Sequence, residues 1–243
     1  IMNWFETWFD TPYYHILYSN RDYKEAENFI TKLTEDLQLP KNSHVVDLAC
    51  GKGRHSVFLN KLGYNVLGLD LSPQSILHNK QYENENLKFA IHDMRNPLPI
   101  EGYDAVFNLF TSFGYFEEEQ DDLNVFQSVN KGLKVGGLFV LDYLNKGFVE
   151  NNFKEKSIEM REDITFYIQK KIENNYVIKQ INFSDKGQDF EYAERVKLHT
   201  LDKINNYAEK SGFERVKIWG DYMLNSFDEI TSPRCINLFK KVK

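Results

Sequence analysis

The feature that most constrains the fold is an alternation running from residue 44 to residue 141. Short apolar runs at His44–Leu48, Val66–Leu69, Leu87–Ile91, Ala105–Phe110 and Leu138–Leu141 each suit one buried strand, and the segments between them carry helix signals. Ser72 is placed to cap a helix with Pro73 in its first turn. Glu117, Glu118, Glu119 and Asp121 load the start of a later helix, where carboxylates meet the positive end of the dipole. Gly136 and Gly137 turn the chain into the fifth run. Strands of this kind alternating with helices form a parallel sheet covered on both faces. With Phe213–Trp219 and Cys235–Val242 added, the expectation is an α/β fold, doubly wound around a mainly parallel sheet of about seven strands.

The rest of the chain follows other periods. Trp4 and Trp8, and Phe5 and Phe9, lie four apart, and Phe29, Ile30, Leu33 and Leu37 form a second helical stripe before Pro40. From Ser157 to Leu198 the apolar residues alternate with polar ones, and Ser184-Asp185-Lys186-Gly187 reads as a turn. This predicts an antiparallel insertion of three or four strands. Thr200 then caps a helix, Leu201 to Lys210, that Gly212 ends.

A net charge of -6 disfavours polyanionic partners, so neither nucleic acid nor an anionic membrane is expected. Cys50 and Cys235 lie far apart and in no Cys/His spacing, which predicts a reducing cytoplasm and no metal. No run approaches the ~18 apolar residues of a membrane span, and the first residues lack a basic region before an apolar one, so an unexported chain is expected.

Residues 45 to 59, VVDLACGKGRHSVFL, read as a strand, a glycine turn and a helix start. Backbone N–H groups face outward at such a place, and a ligand can approach closely. A nicotinamide site wants G-x-G-x-x-G, whereas this turn runs Ala49, Cys50, Gly51, Gly53, with Arg54 where the helix-packing glycine would fall. Asp47 would repel a pyrophosphate but suits an ammonium, and Arg54 suits a carboxylate, so an amino acid zwitterion satisfies both. Arg54 can equally be a solvated helix residue. Asp70 ends the second strand where α/β nucleotide sites place an acid on ribose hydroxyls. Asp93 ends the third, where a carboxylate can accept from an exocyclic amine and the Met94 N–H can reach a ring nitrogen. Amino acid, ribose and adenine in that order describe S-adenosylmethionine.

On these residues, together with YDAVFNLFTSFGYF at 103 to 116, the chain resembles the class I S-adenosylmethionine-dependent methyltransferases, a Rossmann-like family; residues 139 to 243, ending SPRCINLFKKVK, are similar to a group of bacterial small-molecule methyltransferases. The resemblance implies that Asp47, Gly51 and Gly53 line the methionine end, Asp70 and Leu71 the ribose, Asp93 and Met94 the adenine, and Asn108, Leu109 and Phe110 the floor under the sulfur. Ala49 departs from the glycine usual there. It further implies one domain: an N-terminal helical lid (1–40), the cofactor-binding core (41–150), the insertion over the substrate site (151–200), and a closing helix and strands (201–243). The expected reaction is methyl transfer to nitrogen or oxygen of a small acceptor, releasing S-adenosylhomocysteine, by a monomer or a homodimer. A non-catalytic cofactor-binding protein and an NAD-dependent oxidoreductase are the alternatives.

Several side chains admit two readings. The helical spacing of Trp4, Phe5, Trp8 and Phe9 favours packing. Tyr14 and Tyr18, with His15 and Arg21 nearby, suit a lid face touching a sulfonium. His15, Tyr143 and His199 are candidates for a general base, although lining or structural roles suit the last two better. Arg234 can anchor an anionic substrate or pair with an acid.

Overall fold

The structure, a computed structural model, describes residues 4–19 and 23–243, so Arg21 lies outside the described residues. The alternation becomes strands β1 (His44–Leu48), β2 (Asn65–Asp70), β3 (Leu87–Ile91), β4 (Tyr103–Asn108) and β5 (Leu133–Leu144). The insertion becomes β6 (Lys156–Arg161), β7 (Ile164–Glu173), β8 (Tyr176–Asp185) and β9 (Gln188–Lys197), and the chain closes with β10 (Phe213–Trp219) and β11 (Arg234–Lys241). Seven strands share one sheet in the order β3-β2-β1-β4-β5-β11-β10, parallel except where β11 pairs with β5 and β10 with β11. β6 to β9 form a separate antiparallel sheet. The winding reverses between β1 and β4, and in such sheets ligands bind at that point, beyond the carboxyl ends of the strands.

The helices are α1 (Trp4–Trp8), α2 (Pro12–Leu17), α3 (Tyr23–Asp36), α4 (Arg54–Lys61), α5 (Pro73–Asn79), α6 (Glu119–Gly132), α7 (Lys146–Asn151) and α8 (Leu201–Lys210). Because strand residues alternate in direction, Val45 packs in the cluster with Phe29, Ile30 and Leu33 of α3, Leu59 of α4 and Ile76 of α5. Its neighbour Val46 joins Phe126 and Val129 of α6 and Ile204 of α8 on the other face. A third cluster joins Trp8 and Leu17 of the N-terminal helices to Ile164, Phe166, Ile168, Ile181 and Phe183 of the insertion. Trp8 Nε1 donates to Glu194 of β9 at 2.8 Å, and Tyr13 Oη donates to Asp185 at 2.9 Å. The N-terminal helices and the insertion thus share a core that the main sheet does not supply.

Two boundaries differ from the sequence reading, each for a local reason, and the insertion follows it. β4 stops at Asn108, because the Phe110 N–H leaves the ladder and donates to the Asp142 carboxylate at 2.8 Å, with Phe110 and Thr111 at φ of 57° and 60°. Gly136 and Gly137 lie inside β5, where the pairing with β4 slips from Tyr103↔Leu133 to Ala105↔Leu138. The insertion has four strands; Asn174 and Asn175, both at positive φ, turn β7 into β8, and Lys186-Gly187 does the same between β8 and β9.

Candidate cofactor and acceptor site

β1 delivers Asp47 to the switch point, and the chain then coils through Ala49, Gly51 and Gly53 at φ of 63°, 52° and 73° before α4 begins at Arg54. Asp70, at the end of β2, straps this turn: one carboxylate oxygen accepts from the Gly51 N–H at 2.7 Å and the other from the Ser72 N–H at 2.8 Å. A Cβ on Gly51 would meet no protein atom within 4 Å, since the residue borders open space. Gly53 does a different job: a Cβ there would press on Asn79 and Phe89 at 3.0 Å, so it lets α4 pack close behind the turn.

That open space is a cavity of about 640 Å³, within the range of small-molecule sites. Among the described residues, Glu6, Asp10, Asp47, Asp70 and Asp93 line it against two cations, Lys52 and Arg54. Burial pushes the Asp47 carboxyl up to about 6, although the Ser56 hydroxyl donates to it at 2.6 Å. Burial raises Asp70 as well, against the stabilising N–H groups of Ser72 and Gly51. A bound cation would relieve both carboxylates. At the far end burial also opposes charge on Asp93, but Arg95 clamps both oxygens at 2.6 to 3.1 Å and holds the carboxyl below its ordinary value. Each of those oxygens has further lone-pair capacity for a ligand N–H.

A second cavity of about 520 Å³ adjoins the first. Phe9, Tyr14, Tyr18, Arg54, Phe110 and Tyr115 line both, so an aromatic wall divides them. The Arg54 guanidinium sits 5.2 Å from the Phe110 ring centroid, and the His55 ring stacks on Phe110 at 4.8 Å. Asp142 and Arg234 hold the strained Phe110-Thr111 segment from behind: Arg234 Nε donates to Asp142 at 2.8 Å and its Nη2 to the Thr111 hydroxyl at 2.7 Å. Arg234 therefore pairs with a fully buried acid while its side chain borders the second cavity.

Residues 39–193, more than half the chain, match the family model described as a methyltransferase domain. The chain belongs to that family. A putative methyltransferase of Bacillus subtilis is 30% identical over 54% of this chain, which spans 55% of that relative's length. Another, from Geobacillus sp., is 24% identical over 98% of both chains. Among solved structures, an S-adenosylmethionine-dependent methyltransferase from Clostridium acetobutylicum shares the fold with a TM-score of 0.80 at 19% identity, over 95% of this chain and 96% of its own. An amino pentose methyltransferase from Micromonospora echinaspora, solved with S-adenosylmethionine bound, has a TM-score of 0.70 at 16% identity, over 92% and 93%. The family is that of the methyltransferase domain, and the fold is shared with solved S-adenosylmethionine-dependent methyltransferases. The acid-rich cavity at the switch point fits that cofactor, which carries a sulfonium, an ammonium and one carboxylate.

The first cavity brings together most of the residues singled out in the sequence. Tyr14, His15, Tyr18, Asp47, Ala49, Cys50, Gly51, Arg54, Asp70, Leu71, Asp93, Met94, Leu109 and Phe110 border it. Others stand behind the wall. Asn108 is fully buried and its amide donates to the Leu48 carbonyl at 3.1 Å. Tyr143 is also fully buried and its hydroxyl donates to the Lys197 carbonyl. His199 is buried 3.2 Å from Asp122. Neither Tyr143 nor His199 lines either cavity. Sequence reasoning missed Glu6, Asp10, Tyr222, Lys179 and Glu194, which border the cavities from the N-terminal helices, the turn before β11 and the insertion. No helix among the described residues is long and apolar enough to cross a membrane.

Proposed function

We propose that the protein transfers a methyl group from S-adenosylmethionine to nitrogen or oxygen of a small organic acceptor. The observation that carries this reading is the pair of cavities on either side of one aromatic wall, the first beside the glycine turn and the second roofed by the insertion. When bound, the cofactor supplies a methyl group on a cationic sulfur, a leaving group that calls for no protein nucleophile. The chain's part is to bind, orient and exclude water. Asp47 neutralises the ammonium and Arg54 the carboxylate of the methionine end. Asp70 and Leu71 hold the ribose, and Asp93 and the Met94 N–H the adenine. Tyr14, Tyr18 and Tyr115 present electron-rich rings where the positive charge and the acceptor meet. Of the three candidate bases only His15 borders a cavity, the first one, beside the shared Tyr14 and Tyr18 wall, so an acceptor whose reacting atom reaches that wall would lose its proton to His15.

Asp47 makes cofactor affinity pH-dependent. With its carboxyl near 6 in the free protein, the ionised form that attracts an ammonium dominates above that pH. Below it, binding must expel a proton, and affinity falls by up to about tenfold per pH unit.

The second cavity, of about 520 Å³, suits acceptors of low mass. An assay of S-adenosylhomocysteine release tests this, comparing pooled low-mass amines and alcohols with folded proteins and tRNA. Turnover is expected with the low-mass pool. Rapid turnover on a macromolecule, with none on the pool, would overturn the reading.

A further inference from the structure

The two cavities are of opposite electrostatic character. The first is rich in carboxylates, whereas Arg54, Lys154, Lys170, Lys179 and Arg234 border the second against Glu25 and Glu194. Arg54 serves the methionine carboxylate in the reading above, and Arg234 is held by Asp142, so the surplus rests with the lysines of the insertion side.

Their arrangement follows from strand register. Lys170 of β7 pairs with Lys179 of β8, and Lys179 pairs with Glu194 of β9. Register partners project from the same face, so these three side chains stand in one row, and all three border the second cavity. Lys179 forms an ion pair with Glu194 at 3.5 Å and contacts the Tyr18 hydroxyl. Lys170 is half-buried, and among the described residues no carboxylate lies within 4.0 Å of its ammonium, nor of that of Lys154 at the rim. Two lysines directly opposite one another on neighbouring strands repel. A row of this kind costs the free protein stability, as functional sites often do, and an anion seated between the two ammonium groups would remove that cost.

We infer that the second cavity takes an acceptor bearing an anionic group, a carboxylate or a phosphate, held by Lys170 with Lys179 and Lys154. The rest of the acceptor lies along Phe148, Phe153, Val177 and Val196, with its methyl-accepting atom toward Tyr18 and Tyr115. The inference rests on the methyl-transfer reading only for the role of the bound molecule, and its test separates the two.

Benzoate, phenyl phosphate and the neutral benzamide would be titrated into the full chain by calorimetry, with and without saturating S-adenosylhomocysteine. At least one anion is expected to bind about tenfold tighter than benzamide, and whichever does identifies the anionic group. Lys170→Glu and Lys170→Met should abolish the preference with S-adenosylhomocysteine affinity unchanged. Without ligand, Lys170→Glu should raise Tm by about 1 to 3 °C, because a carboxylate opposite Lys179 turns repulsion into attraction. Equal binding of benzamide, no binding of either anion, or a preference that survives both variants would overturn the inference. Failure of the wild type to bind S-adenosylhomocysteine would instead overturn the cofactor assignment, and the titrations without it would still decide the anion site.

Discussion

Gly51→Val is expected to weaken S-adenosylhomocysteine binding by about 100-fold or more, equivalent to about 2.7 kcal/mol. Two effects act together. The backbone at residue 51 has φ of 52°, a left-handed conformation that costs a side-chain-bearing residue about 1 to 2 kcal/mol, and β-branching adds to it. The new side chain would also project into cofactor space, because a Cβ at this position meets no protein atom to hold it back. Any relaxation of the strain moves the N–H that donates to Asp70, and with it the strap between the turn and β2. Calorimetry reads the affinity and circular dichroism checks that the variant is folded. Binding within about threefold of the wild type in a folded variant, a change of about 0.6 kcal/mol, would show that the turn does not face the ligand.

The largest expected stability effect lies outside the cavities. Lys197, the last residue of β9, places its ammonium 2.6 Å from Asp122 of α6, with side-chain exposures of 9% and 0%. The same segment is tied to the core twice more, the Lys197 N–H donating to the Gly114 carbonyl at 2.8 Å and its carbonyl accepting from Tyr143. Asp122→Ala would leave Lys197 charged and buried without its counter-ion, which costs about 3 to 5 kcal/mol. For a domain of this size that lowers Tm by about 6 to 20 °C. Replacing both partners, as Asp122→Leu with Lys197→Met, should recover most of the loss, because the desolvation cost leaves with the charges. Thermal unfolding of the two variants checks both statements. A loss below about 1 kcal/mol in Asp122→Ala would mean that the pair is solvated and worth no more than a surface bridge.

The parallel sheet was legible because its signal is local. Runs such as Val45–Leu48 declare buried strands, and Ser72-Pro73 declares a helix start, so the core needed no tertiary information. The residues proposed to hold the cofactor were brought to one cavity for the same reason: Asp47, Gly51, Asp70 and Asp93 lie at the ends of successive strands, and a doubly wound sheet gathers those ends in one crevice. The acceptor side was not. Whether Lys179 and Glu194 face solvent or a cavity depends on which face of the insertion the Trp8 and Leu17 side chains cover, and a period-two pattern does not name its partner. Asn108 and Tyr143 also occupy strand ends, yet they satisfy backbone carbonyls behind the wall. The early end of β4 depends on a bond from Phe110 to Asp142, 32 residues away.

The most direct test of the account is a calorimetric titration of S-adenosylhomocysteine into the full chain, with NAD as control, repeated from pH 8 down to pH 5. Saturable one-site binding is expected near neutral pH, with no binding of NAD and an affinity that declines below about pH 6 as Asp47 takes up its proton. Absence of S-adenosylhomocysteine binding at every pH, or equal binding of NAD, would contradict it.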